Sequence, residues 1–118
     1  MDPIFGRTRS VVAWLEPNHE RLRSLQGSVI GWLNGDAVYS VGGSHVGFFT
    51  DGTFRDLSGR VVAFVRAARP GVAMPGLGGV PGRPDLSGVP GKPGFSGRRG
   101  RPGNVSGWSH TSFNEFVR

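Results

Sequence analysis

Three stretches of this chain superimpose without a gap: "LRSLQGSVIGWL" (22–33), "VYSVGGSHVGFF" (38–49) and "FRDLSGRVVAFV" (54–65), their starts sixteen residues apart. The shared pattern is apolar-x-Ser/Asp-apolar-x-Gly-x-x-apolar-small-aromatic-apolar. Gly27, Gly43 and Gly59 recur in register, as do Trp32, Phe48 and Phe64, each preceded by Gly31, Gly47 or Ala63. Self-similarity at a fixed period marks an array of supersecondary units, none of which buries its apolar face alone. Each unit reads as a β-hairpin. A short strand such as Leu22–Leu25 meets a two-residue turn ending in Gly, which takes positive φ without a Cβ penalty. A β-branched and aromatic strand (Ser28–Leu33) follows, suited to a pleated, half-buried surface. "NGDA" and "TDGT" then join the units as Asn-Gly and Asp-Gly hairpin turns. The small residue before each aromatic is expected to let a neighbouring ring or backbone approach closely.

A fourth copy is partial. "SVVAWL" (10–15) matches the second strand, with Ala13-Trp14-Leu15 on Gly31-Trp32-Leu33, and no first strand is evident before it. Closed repeats often complete one unit from the other terminus and so leave no open edge. "NVSGWSHTSF" (104–113), whose Gly107-Trp108 echoes Gly31-Trp32, is the candidate for that closure. Trp14, Trp32, Phe48 and Phe64 occupy equivalent positions and are expected to form an aromatic ring in the core. Tyr39 and Trp108 stand outside that set. "PNHER" (17–21) reads as an inserted loop.

These residues carry a family resemblance. "VYSVGGSHVGFFTDGTFRDLSGRVVAFV", later "GKP" and "GRP" steps, and a terminal "GWSHTSFNEF" resemble the bacterial 4-fold beta flower proteins over roughly residues 10–65 and 107–116. The resemblance implies a small all-β fold of pseudo-four-fold hairpins and no activity. The expected architecture is therefore a closed, pseudo-four-fold arrangement of short hairpins followed by a polyproline II or collagen-like strap. Its parts are a repeat body (1–68), a Gly/Pro/Arg-rich segment (69–103) and a C-terminal segment closing the body (104–118).

Charge separates the same parts. The formal net charge is +6, yet residues 1–65 are neutral, with six basic and six acidic side chains. Residues 66–118 hold eight basic groups against Asp85 and Glu115, and thus the whole excess. The strap has its own order: from Gly76 to Gly103 every third residue is Gly except Asp85, and Pro75, Pro84, Pro93 and Pro102 recur every nine. Polyproline II has three residues per turn, so each triplet position becomes one face of a rod. One face is bare Gly. Another carries Leu86, Val89 and Phe95, the expected docking face, with Arg83, Lys92, Arg98 and Arg101 interspersed. Asp85 interrupts the axial glycines that a collagen triple helix needs. A strap laid on the body or on other straps fits these faces better than a long triple helix does, and a disordered linker is the third reading.

The search for chemistry returns little. There is no Cys, and His19, His45 and His110 share no metal-ligand spacing, so neither disulfides nor a zinc site is expected. "GGSHVG" lacks the spacing of a nucleophile elbow, and "GVPGKPG" lacks the spacing and Ser/Thr of a phosphate loop. Asp36, Asp51 and Asp56 fall where turn residues belong. No catalytic residue, metal or cofactor is expected. The leading reading is a non-enzymatic module whose strap mediates assembly or docking, with protein, including other copies of the chain, as partner. The alternative is nucleic-acid or anionic-surface binding through Arg83, Lys92, Arg98, Arg99 and Arg101. A phage- or secretion-associated adhesin, with the strap as a stiff spacer, is the weaker third. "MDPIFGRTRS" has no apolar signal region and no apolar run reaches ~18 residues, so a cytoplasmic location without a transmembrane segment is expected, with a virion or secretion association as the other option.

Overall fold

A computed structural model describes residues 1–8, 10–65, 82, 86, 88–91, 93–97, 100, 103 and 107–118. Eight strands run in chain order: β1 (Asp2–Gly6), β2 (Val11–Leu15), β3 (Arg21–Arg23), β4 (Val29–Asn34), β5 (Ala37–Ser40), β6 (His45–Thr50), β7 (Thr53–Asp56) and β8 (Val61–Val65). One helical turn, α1 (Phe113–Phe116), follows. Each strand pairs antiparallel with the next and β8 returns to β1, so the sheet is a closed barrel. Closure removes the exposed edges that so small a sheet would otherwise present.

The four hairpins share one register. Ile4 faces Ala13 and Phe5 faces Val11; the same two pairs recur as Leu22–Gly31 and Arg23–Val29, Val38–Gly47 and Tyr39–His45, Phe54–Ala63 and Arg55–Val61. A bulge separates the two pairs each time, skipping Val12, Ile30, Val46 or Val62, and such bulges bend a strand as a tight barrel requires. The expectation that the C-terminus completes the fourth unit is corrected. Its first strand is β1, with Ile4-Phe5-Gly6 aligned on Leu22-Arg23-Ser24. It lies eighteen residues before its neighbour because the connection at 17–20 is two residues longer than those at 35–36 and 51–52. Residues 107–109 contribute one parallel bridge, Trp108 to Val61, and no barrel strand.

The hairpin loops hold three residues, not the expected two. The Ser24 N–H donates to Ser28 O at 2.8 Å and the Gly27 N–H to Ser24 O at 3.0 Å, and both bonds recur at 40–44 and 56–60. Gly27, Gly43 and Gly59 close these loops at φ 95°, 97° and 89°, where a side chain would be strained. The Ser/Asp of the repeat also has a reason. Ser24 Oγ, Ser40 Oγ and Asp56 Oδ1 accept from the N–H groups of Ser28, Ser44 and Arg60 across the loop.

Strand alternation decides what fills the barrel. Ile4, Ala13, Leu15, Leu22, Leu33, Val38, Phe54 and Ala63 form one cluster drawn from strands all round the ring, which identifies the inner face. Gly31 and Gly47 lie on that face. A Cβ on Gly47 would overlap the Arg55 carbonyl oxygen of the paired strand and sit 2.5 Å from Phe116 Cε1, and one on Gly31 would sit 2.9 Å from Tyr39 O and 3.7 Å from Val117 Cγ1. The missing side chains thus admit α1, whose Phe113 and Phe116, with Val117, join the inner cluster. The helix is short enough to need its capping box: Ser112 accepts from the Glu115 N–H while the Glu115 carboxylate reaches back to the Ser112 N–H.

The aromatics one residue further on therefore point outward, which corrects the core ring expected from the repeat. Trp14, Trp32, Phe48 and Phe64 are at most 3% exposed, yet they separate. Trp14 and Phe64 cluster with Phe5 and Val11, Trp32 with Val29, Ala37 and Tyr39, and Phe48 meets the His45 ring edge-on at 4.9 Å. Among the described residues no helix is long and apolar enough to cross a membrane.

Gly47→Ala should cost about 1–3 kcal/mol, the usual penalty for overpacking a filled core. Gly88→Ala, whose added Cβ meets nothing within 4 Å among the described residues, should be neutral. Denaturant midpoints of the two variants check the contrast, and equal midpoints would show that the inner face at Gly47 has room for a methyl group.

Candidate functional site

One outward position of the repeat differs between hairpins: Phe5, Arg23, Tyr39 and Arg55. The arginines satisfy their own loops. Arg23 Nη1 donates to Gly27 O at 2.8 Å, and Arg55 Nη1 donates to Gly59 O at 2.6 Å. Arg23 is buried and ion-paired to Glu16 at 2.8 Å, and Arg21 meets the same carboxylate at 2.9 Å. A buried guanidinium needs such a partner, since an uncompensated charge there would be strongly destabilising.

Hairpin β5–β6 carries Tyr39 instead, and the C-terminal region docks there. Phe95 stacks on Tyr39 with centroids 4.2 Å apart and planes at 13°, over a cluster of Val29, Trp32 and Ala37. The Ser96 N–H donates to Gly43 O at 2.8 Å, and the His45 N–H donates to Ser96 Oγ at 2.9 Å. The Gly94 carbonyl lies where a Cβ on Gly43 would be, so Gly43 serves both the turn and the contact. Trp32 Nε1 donates to Val41 O at 3.2 Å and ties the neighbouring hairpin into this groove.

A second contact covers the other outer cluster. Trp108 meets Phe64 edge-on at 5.9 Å, while the Val61 N–H donates to Gly107 O and the Ser109 N–H to Val61 O. Both contacts meet the body at equivalent residues, His45 and Val61. There the bulge leaves the ladder and its backbone groups are open to a further chain.

Of the expected docking face, Phe95 packs on the body, whereas Leu86 and Val89 are 51% and 46% exposed. The described contact spans Pro93–Ser96, with the Ser96 N–H on Gly43 O, and Leu86 and Val89 precede it. Arg83, Lys92, Arg98, Arg99 and Arg101 lie outside the described residues.

His45 is buried, its Nε2 2.8 Å from Gly47 O and its ring between Tyr39 and Phe48. His19 lies edge-on to Phe49, 6.3 Å away, and Asp51 turns its connection at φ 51°. A shallow cleft of about 440 Å³ beside α1 does bring His45, Asp56, Glu115 and Arg118 to one rim. Each of the first three is engaged structurally, Asp56 in its loop, Glu115 in the helix cap and His45 with Gly47 O. Among the described residues no group of three His, Asp or Glu is placed to hold a metal ion.

Burial pushes the Asp56 carboxyl up, but hydrogen bonds from the Ser58 and Ser109 hydroxyls and the Arg60 and Ser58 amides outweigh it. They hold the carboxyl below the usual carboxylate range. The Ser109 bond fastens the C-terminal segment to the β7–β8 loop.

These features define a class: a small, closed eight-stranded antiparallel barrel of four equivalent hairpins, its lumen filled by a C-terminal turn of helix. The family model for the 4-fold beta flower protein matches residues 2–117, and the chain belongs to that family. No curated protein and no solved structure matches it.

Because its folded pKa is depressed, Asp56 adds stability that is fully present above the unfolded value of about 3.9 and is lost as pH falls through the lower folded value. Asp56→Asn should therefore be less stable than the parent at pH 7, with the gap closing below about pH 4. Denaturation midpoints across pH 2–7 measure it, and a gap independent of pH would remove the carboxylate from the account.

Proposed function

We propose that this protein is a non-enzymatic assembly or docking module, with the Gly/Pro/Arg strap as its interacting element and other copies of the chain as the principal partner. The observation that carries this reading is the state of the strap glycines. At Gly82, Gly88, Gly91, Gly94, Gly97, Gly100 and Gly103 an added Cβ would meet nothing within 4 Å among the described residues, and none of them has a positive φ. Among the described residues, one chain thus gives no steric reason for Gly at these positions. A bare face repeating every third residue suits close approach to another backbone of the same pitch. The exposed Leu86 and Val89 add apolar surface beside it.

Charge supports the second reading, docking on nucleic acid or another anionic surface, because the whole net charge of +6 falls in residues 66–118. The two differ in salt response. Counterion release makes binding to a polyanion weaken steeply between 50 and 200 mM salt, whereas backbone packing does not depend on it in this way.

Replacing Gly88, Gly91 and Gly97 together by Val in the full chain should leave the thermal stability of the barrel unchanged and abolish a salt-insensitive oligomer seen by sedimentation. A parent chain that stays monomeric, or an oligomer that survives the triple change, would sink the assembly reading. Salt-sensitive retention on a polyanion column by the same monomer would favour the second.

A further inference from the structure

Hairpin β5–β6 differs from its Arg-bearing relatives in a way that makes it a receptor. In β3–β4 and β7–β8 the loop-closing glycine carbonyl is occupied by the hairpin's own arginine, from Arg23 to Gly27 O and from Arg55 to Gly59 O. Tyr39 has no guanidinium to spend on Gly43 O. That carbonyl accepts instead from Ser96, and the phenol ring supplies a flat platform for Phe95. The partner segment is a Pro-Gly-Phe-Ser stretch of polyproline-like composition. Aromatic-lined grooves that take polyproline II strands are a recurrent recognition mode, because the ligand is already extended and loses little entropy on binding.

Resting on the assembly reading above, we propose that the groove of Trp32, Tyr39, Gly43 and His45 is a recognition site for a polyproline II strand bearing Gly-aromatic-Ser, and that the same segment of a second copy occupies it when chains associate. Two observations favour that occupant. The groove already holds this sequence in cis, through a stack and two backbone-directed hydrogen bonds, so an identical segment in trans makes identical contacts. The 27 residues between Val65 and Pro93 have a contour of roughly 90 Å at full extension, against a molecule whose longest dimension is 36 Å. On the other side ten residues (97–106) join Ser96 to the anchored Gly107, roughly 35 Å at full extension, so a groove on an adjoining barrel that faces this one is within reach, and exchange of identical elements is a low-cost route to oligomers.

The test uses the full chain carrying Phe95→Ala, which weakens the resident segment, and a fluorescent peptide of residues 91–100. Anisotropy should show saturable binding at least tenfold tighter than to the parent, where the tethered segment competes at high effective concentration. Adding Tyr39→Arg should weaken binding at least tenfold by restoring the self-capped loop. A peptide N-methylated at Ser96 should fail likewise, which keeps the test sound if the Tyr39→Arg chain does not fold. Absence of binding at millimolar peptide, or unchanged affinity for the N-methylated peptide, overturns the groove. Peptide binding by a parent chain that stays monomeric at millimolar concentration keeps the groove and overturns the exchange, and an oligomer without peptide binding rejects the groove while leaving assembly through the Gly face standing.

Discussion

Four hairpins of this size enclose a lumen that must be filled without residue, because eight strands give an interior only just wide enough for side chains. Here the inward positions are unequal: Ala13 and Ala63 carry a methyl group, while Gly31 and Gly47 carry nothing. The space on the glycine side is taken by Phe116 and Val117 from the far end of the chain. This insertion fastens residues 107–118 to the barrel, so the segment between Val65 and Gly107 is held by the fold at both ends.

The outer surface shows why a returning strap is useful to so small a protein. Phe5, Trp14, Trp32, Tyr39, Phe48 and Phe64 crowd the outside of the barrel, where a bare sheet would present them to water. Burying an aromatic side chain contributes on the order of 1.5–3 kcal/mol, a large share of the stability of a domain this size. Trp108 and Phe95 supply part of that cover, one over each outer cluster. Arg23 and Arg55 cap the loops of their own hairpins, where Tyr39 leaves its loop to the strap. Self-capped and strap-capped loops are two solutions to one problem, an unpaired glycine carbonyl.

Most of the architecture was legible in the chain. Three copies in exact register and four Gly-aromatic or Ala-aromatic steps point to four hairpins, and closed barrels are how such units hide their edges. The first copy escaped because two of its markers are altered: Gly6 stands where the others have Ser or Asp, and Arg9 where they have Gly. The longer connection at 17–20 also breaks the sixteen-residue spacing. The inward face was misassigned for a different reason. Alternation separates Trp14 from Ala13 and Leu15 but does not say which side is the lumen, and here both sides are buried. The docking position was visible as the Arg-Tyr-Arg variation at 23, 39 and 55, although its meaning needed the carbonyl that each side chain meets or leaves open.

By itself the sequence determined the local elements: hairpins from periodic glycines, turns from Asp-Gly and Asn-Gly, and a neutral body set apart from a cationic strap. These follow from backbone sterics and charge, which act over a few residues. Only the tertiary structure decided how the ring closes, which aromatics face out, and that Phe95, not Leu86 or Val89, meets the body. Those outcomes depend on which side of a sheet is enclosed and which carbonyl is left without a donor, and residues far apart in the chain settle both.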